Sequence, residues 1–206
     1  DGLFHQGGAT SLAVEPASAA RLDAAAPGTW SLVEALRMRV RDDIERRFLS
    51  PHGRRLRDAG GLLTRLDGEP RGGSRQLNAT HEYWHFHVDK ANKAAYDYSA
   101  LLYLADGAGI DFDGGELEFV DHNAERRLVA PRAGLLVAFT SGLENVHRVR
   151  RVTTGHRMVL ALWFTCIDGA SPHVGAEEDG TSLVEGACSL RDEEGGPSTS
   201  SCPPAR

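Results

Sequence analysis

From Leu62 to Cys166 the chain reads as a succession of short strand-like runs broken by turn chemistry, and this rhythm limits the fold more than any other feature. The runs are Leu62 to Leu66, Tyr83 to Asp89, Tyr98 to Ala105, Glu116 to Val120, Arg127 to Ala130, Leu135 to Ser141, Asn145 to Val149 and Arg157 to Cys166. Between them lie Asp106-Gly107, Asp113-Gly114-Gly115, Pro131 to Gly134 and Thr154-Gly155. These are turn formers, because glycine accepts positive φ and proline presets a bend. Eight short strands preceded by helices predict an α+β, mainly β fold, a double-stranded β-helix (jelly roll) backed by N-terminal helices.

The helical part is signalled before residue 60. Val33, Leu36, Val40, Ile44 and Phe48 recur at three- and four-residue spacing, giving one apolar stripe that ends at Pro51 and Gly53. Ser31 with Glu34 fits a capping box at its start. The stripe is expected to pack on the outer face of the sheet, against Trp84 and Phe86. A weaker helix runs from Ser18 to Ala25 and stops at Pro27-Gly28. The arginines from Arg37 to Arg57 are interrupted by Asp42, Asp43 and Glu45, so they read as a solvated helix face. With a net charge of −6 and no basic stripe, the sequence gives no case for nucleic-acid binding.

The run Tyr83-Trp84-His85-Phe86-His87-Val88-Asp89 carries chemistry. Side chains on a strand alternate between faces, so Tyr83, His85, His87 and Asp89 share one face, and Trp84, Phe86 and Val88 the other. A polar face backed by an apolar one suits a wall between a pocket and a core. His87 and Asp89, with His147 further along, supply two imidazoles and one carboxylate. That set suits the facial triad that holds a non-haem Fe(II) on one side and leaves the other open. His85 lies on the same face, so a His85, His87 and His147 set, as in a cupin-like metal protein, stays open beside it. A carboxylate is common where iron activates oxygen, which favours His87 with Asp89. A short HxD pair alone matches by chance; His85, His122 and His156 read as structural or solvent-facing.

Downstream, Arg157 begins a strand that is apolar on both faces, with Val159, Ala161 and Trp163 on its own side and Met158, Leu160, Leu162 and Phe164 on the other. A buried guanidinium needs an anion, and its planar fork suits a carboxylate. The far carboxylate of 2-oxoglutarate is one partner; a structural Asp or Glu is the alternative. Tyr103, on the face of Ser99 and Leu101, offers a phenol donor to the same anion or serves as a core tyrosine.

These residues resemble a known family. WHFHVD (Trp84 to Asp89), ALLYL (Ala100 to Leu104), GGELEF (Gly114 to Phe119) and HRVRRVTTGHRMVLALWF (His147 to Phe164) look like the catalytic domain of prolyl 4-hydroxylase-type 2-oxoglutarate oxygenases. The resemblance is strongest to the "2-oxoglutarate and iron-dependent oxygenase domain-containing protein 3" group, on WHFHVDK, YSALLYL, GGELEFVD and FTSGLENVHRV. It implies iron ligands at His87, Asp89 and His147. It further implies 2-oxoglutarate binding by Arg157 and Tyr103, and a pocket-lining role for Trp163. The implied cofactors are Fe(II), 2-oxoglutarate as co-substrate, O2 and ascorbate. The implied reaction is hydroxylation of a substrate, a peptidyl side chain being favoured, with release of succinate and CO2. Collagen-type members place lysine where Arg157 stands; either cation serves. A cupin-like enzyme that does not use 2-oxoglutarate, or a non-catalytic jelly-roll binding module, are the other readings.

Residues 1–60 are therefore expected to form a helical support within one domain, residues 61–166 the jelly-roll core, and residues 167–206, rich in Gly, Ser, Glu and Pro, a disordered tail. Cys166, Cys188 and Cys202 show neither zinc spacing nor a disulfide framework. No apolar run is long enough to span a membrane. The chain begins at Asp1, as a piece of a longer protein does, and the resemblance implies a secretory-pathway or endoplasmic-reticulum membrane association through an anchor upstream.

Overall fold

A computed structural model describes residues 3–6, 9–49, 54–68 and 85–167. Its strands are β1 (Leu3–Gln6), β2 (Ala9–Ala13), β3 (Arg55–Asp67), β4 (Tyr98–Tyr103), β5 (Phe112–Gly114), β6 (Leu117–Val120), β7 (Arg126–Val129), β8 (Leu136–Thr140), β9 (Val146–Val149) and β10 (Val152–Ile167). The helices are α1 (Ala19–Ala25), α2 (Thr29–Ile44), which runs on into a π turn at Glu45–Leu49, and α3 (Asp89–Asn92). All pairing is antiparallel. A seven-stranded major sheet has the order β1-β2-β3-β10-β4-β8, with β5 on the far end of β10, and a minor sheet has the order β7-β6-β9. His87 adds an isolated bridge to His147 on the β9 edge of the minor sheet.

The long β10 is the centre of the major sheet, pairing with β3, β4 and β5, and its two faces do different jobs. Leu160, Leu162, Phe164 and Cys166 point to one side, with Tyr98 and Ala100 of β4, and are buried under Val33, Val40 and Ile44 of α2 and Leu49. Leu36 and Phe48 of the expected stripe pack against the same cluster. Each such apolar side chain, once buried, contributes roughly 1.5–3 kcal/mol. The helix therefore covers the β10–β4 centre of the sheet, not Phe86. Phe86 lies under the guanidinium of Arg148, 4.4 Å from its ring, and stays 37% exposed. Trp84 and Tyr83 lie outside the described residues.

The helix also begins earlier than the capping box suggests. Gly28, at φ 85°, is its N-cap, a left-handed conformation that glycine adopts without strain. Asp23 of α1 accepts from the Trp30 N–H at 2.8 Å, so a neighbouring helix satisfies an orphan donor of the first turn, and Ser31 lies inside the helix instead of capping it. Glu34 pairs instead with Arg37 at 2.6 Å.

Three further strands depart from expectation. β1 and β2 extend the major sheet from the N-terminal region, where only helices were expected, and β5 occupies the Asp113-Gly114 segment read as a turn. β3 starts at Arg55, seven residues before Leu62, and carries Gly60 and Gly61 in its middle. Glycine weakens a strand unless close approach needs it. Here a Cβ on Gly61 would meet Leu162 at 3.0 Å and Val14 at 3.1 Å. A bulge beside them shifts the β3–β10 register between Trp163 and Phe164. Cys166 is disulfide-bonded, contrary to the reading of its spacing. The expected tail lies outside the described residues from 168 onward.

Candidate active site

The inner face of the major sheet can be read directly from the register. One row runs Phe139, Ser99, Trp163, Gly60 across β8, β4, β10 and β3. The next runs Val137, Leu101, Ala161, Leu62, and the third pairs Tyr103 with Val159 and Thr64. Arg157 follows two residues before Val159 on the same face. The face thus carries a polar end at Ser99, an apolar middle, and a cationic end at Tyr103 and Arg157. Ser99 and Tyr103 are four residues apart, about 13 Å along the strand.

Beside the Ser99 end, His87, Asp89 and His147 converge. Their candidate ligand atoms all lie within 4.8 Å of one another, which makes them a group able to hold a metal ion. The expected strand from Tyr83 to Asp89 is not what brings them there. His87 is held by a reciprocal backbone pair with His147, N to O at 2.9 and 3.0 Å, and Asp89 is the first residue of α3. The segment after Val88 is Asp-Lys-Ala-Asn-Lys-Ala-Ala, with no β-branched residue to prolong a strand, so it turns into a helix. The shared orientation of His87 and Asp89 survives this change. Asp89 Oδ1 lies 3.7 Å from His87 Nε2 and 3.9 Å from His147 Nε2.

Both imidazoles are preset for metal binding through Nε2. His87 Nδ1 donates to the carbonyl of His85 and His147 Nδ1 to that of Asn145, each at 2.9 Å. A protonated Nδ1 leaves the Nε2 lone pair for a metal. Burial pushes the His147 pKa below its ordinary 6.5, against the opposing pull of the Asp89 charge, so the ring is neutral at neutral pH as a ligand must be. Phe139 and Phe119 pack on the His147 ring, with centroids 4.8 and 5.7 Å away. Asp89 and His147 are buried, while the His87 side chain is 29% exposed, so the site opens on the His87 side. His85 is exposed and outside the group; it contributes only its carbonyl. His156 pairs with Asp67 on the surface, at 2.7 Å.

At the other end, Arg157 is 3% exposed and Tyr103 fully buried. Arg157 Nε donates to the carbonyl of Gly115 at 3.0 Å, and Nη2 lies 3.5 Å from the Tyr103 hydroxyl. Gly115 sits at φ +69°, and a Cβ there would come within 2.8 Å of Arg157 Cδ, so only glycine lets this backbone reach the guanidinium. Trp163 stacks on Tyr96, centroids 5.0 Å apart and planes within 10°. Burial, with the Asp89 charge, raises the Tyr96 pKa, which places that phenol near the metal-ligand end. Sequence reasoning named the charged and histidine members of the site but missed the carbonyls of His85, Asn145 and Gly115, the Tyr96 ring and the hydrogen bond from Ser99. Backbone groups carry no residue signature, and Tyr96 and Ser99 acquire their meaning only from the folded pairing.

A donor set of two neutral imidazoles and a carboxylate fits Fe(II), and a buried arginine with a phenol, across an apolar gap, fits the far carboxylate of a dicarboxylic acid. Residues 75–165 match the pattern of the 2OG-Fe(II) oxygenase superfamily. The chain carries a 2OG-Fe(II) oxygenase domain. The chain is 38% identical over 138 residues to the "2-oxoglutarate and iron-dependent oxygenase domain-containing protein 3" of Xenopus tropicalis, covering 66% of this chain and 41% of that protein. It is 55% identical over 71 residues to human prolyl 3-hydroxylase 3, covering 34% of this chain and 9% of that protein. The chain therefore spans less than half the length of these relatives. The fold matches that of a prolyl hydroxylase from Trichoplax adhaerens, solved with a hypoxia inducible factor peptide fragment, at a TM-score of 0.55 and 17% identity, covering 78% of this chain and 64% of that one. The matched family implies Fe(II), 2-oxoglutarate and O2 as reactants, and His87, Asp89 and His147 form a group able to hold the metal.

Proposed function

We propose that the chain is a 2-oxoglutarate- and Fe(II)-dependent dioxygenase that hydroxylates a peptidyl side chain, with release of succinate and CO2. His87, Asp89 and His147 hold the iron, Arg157 and Tyr103 bind the far carboxylate of 2-oxoglutarate, and Trp163 lines the pocket. The observation that carries the reading is the shared inner face. Two histidines with occupied Nδ1 atoms meet one carboxylate at one end, and a buried arginine waits at the other. When bound, iron and 2-oxoglutarate supply the chemistry: oxidative decarboxylation of the keto acid by O2, coupled to oxygen insertion into a substrate C–H bond.

The chain's own residues do the positioning. Gly115 fixes the Arg157 guanidinium through its carbonyl, and a planar cation of this kind suits an incoming carboxylate. Leu101, Ala161 and Val137 exclude water from the methylene stretch between the two ends. The half-open His87 side admits substrate. A peptide is favoured because the Trichoplax adhaerens relative was solved with one and another relative is a prolyl 3-hydroxylase.

The test needs no substrate. Purified protein is mixed anaerobically with Fe(II) and 2-oxoglutarate and scanned for the visible charge-transfer band of an iron-chelated keto acid. The band is expected in the parent, absent in Asp89→Ala and weakened in Arg157→Ala. Bound iron without a band would sink the co-substrate assignment.

A further inference from the structure

The metal-ligand carboxylate is held by two buried serines that neither the triad nor the co-substrate grip requires. Asp89 presents Oδ1 to the two imidazoles. Its other oxygen, Oδ2, lies 2.6 Å from the Ser99 hydroxyl, and Ser99 Oγ lies 2.7 Å from Ser141 Oγ. Both serines are 1% exposed. We propose that Ser141 and Ser99 form a directed hydrogen-bond relay that commits Oδ2 and so fixes Asp89 as a one-oxygen ligand. This rests on the assignment of Asp89 to the iron.

The direction follows from proton counting. A ligating carboxylate is deprotonated and can only accept, so the single Ser99 proton goes to Oδ2. Ser99 then has only lone pairs left for Ser141, and Ser141 must donate. The relay is anchored through its backbone. The Ser141 N–H donates to the Asp97 carbonyl at 2.9 Å, and the Ser141 carbonyl accepts from Lys90 N at 3.0 Å. Asp97 is itself fixed, taking Lys90 Nζ on one oxygen and Thr165 Oγ1 and Cys166 N on the other. Position is thus passed from the rigid β4–β10 pair, through Asp97, Ser141 and Ser99, to an aspartate on the short helix α3. With Oδ2 occupied, Asp89 would offer a bound metal Oδ1 alone, the oxygen that faces the two imidazoles. The carboxylate is also already ordered before metal arrives, so less entropy is lost on binding.

Ser99 and Ser141 touch neither substrate nor metal; they are positioning residues, and their test must read the metal directly. Mn(II), which is redox-silent, is titrated anaerobically into the full chain, with free ion followed by electron paramagnetic resonance. Metal-free thermal unfolding of each variant is recorded alongside. Ser99→Ala should weaken Mn(II) binding roughly 10- to 100-fold, the range for loss of a group that orients a ligand. Ser99→Thr, which keeps the hydroxyl, should bind as the parent does. Ser141→Ala should weaken binding less, about threefold, by removing one bond from a cooperative chain. In the double variant Ser141→Ala should add nothing to Ser99→Ala, because Ser141 acts through Ser99.

Binding by Ser99→Ala within about twofold of the parent, or additive losses in the double variant, would overturn the relay. Should Ser99→Ala fail to fold, Ser141→Ala decides: parent-like affinity overturns the relay, and a loss alongside intact Ser99→Thr supports it. A parent that binds no Mn(II), or an Asp89→Ala variant that binds as well as the parent, removes the iron assignment itself. That result is distinct from a parent that binds through Asp89 with Ser99 irrelevant.

Discussion

Arg157 is the buried cation proposed to hold the co-substrate, and its geometry makes two substitutions informative. The guanidinium is buried, tied by Nε to the Gly115 carbonyl and set over the Tyr103 ring at 5.1 Å from the centroid. Arg157→Ala removes a charge-assisted fork, and hydrogen bonds to charged groups are worth about 1.5–3 kcal/mol each, so 2-oxoglutarate affinity should fall roughly 100-fold or more. The check is titration of 2-oxoglutarate into the Mn(II)-loaded protein, followed by tryptophan fluorescence; unchanged affinity would make Arg157 a structural residue. Gly115→Ala probes the same grip from the backbone. Its φ of +69° strains any L side chain, and the new Cβ would push on Arg157 Cδ, Phe112 and Val152 at 2.8, 3.1 and 3.1 Å. Affinity for 2-oxoglutarate should drop while Mn(II) affinity holds, because the ligand end of the face is untouched. Parallel loss of both would mean the substitution disrupts the fold around β5, not the grip.

The strands explain what could be read ahead and what could not. The two-sided pattern of Arg157 to Phe164 told which side chains of β10 share a face, since alternation is local, but not that the helix would cover the Leu160, Leu162 and Phe164 side, because that packing is non-local. The His87–Asp89 pairing was named from a strand alternation that the structure does not keep, since only His87 bridges to a strand and Asp89 opens a helix; the shared orientation survives that change. The early start of β3 was not legible, because Gly60-Gly61 weakens strand propensity and its justification, close approach of Leu162, Val14 and Tyr96, is non-local. The minor sheet holds a feature of the same kind. Glu118 of β6 is 2% exposed and takes Arg148 Nε at 2.7 Å and Arg126 Nη1 at 2.9 Å. Burial disfavours its charge, but hydrogen bonds and charge from Arg148 and Arg126 outweigh that and hold its pKa below the ordinary 4.5. A folded-state value below the unfolded one means the stability from this carboxylate is present above pH 4.5 and is lost as pH falls through the lowered value. Glu118→Gln should therefore cost about 2 kcal/mol near neutrality and flatten the acid limb of stability. Thermal unfolding of both proteins across the acid range checks this; parallel pH profiles would show that other carboxylates set the acid limb.

The ligand set ties together parts of the molecule that are otherwise joined weakly. His147 belongs to the minor sheet through β9, Asp89 to the short helix α3, and His87 bridges them by one backbone pair. Asp89 is in turn held to the major sheet through Ser99 of β4. A metal bound by all three side chains would cross-link the minor sheet, order β7-β6-β9, to the major sheet, to which β10 and its partners β3, β4 and β5 belong. Binding to the folded state alone stabilises by mass action, about 2.7 kcal/mol at a hundredfold excess over Kd. For a chain of this size each kcal/mol moves the melting midpoint roughly 2–4 °C. Mn(II) at that excess should thus raise the midpoint by roughly 5–11 °C. Asp89→Ala, which removes the ligand common to both histidines, should melt without any Mn(II) response, and adding 2-oxoglutarate to the loaded parent should raise the midpoint further, but not in Arg157→Ala. A rise on 2-oxoglutarate alone, without metal, would show that the dicarboxylate is held by the cationic end of the face independently of the iron ligands, and would separate two sites that the shared inner face joins into one.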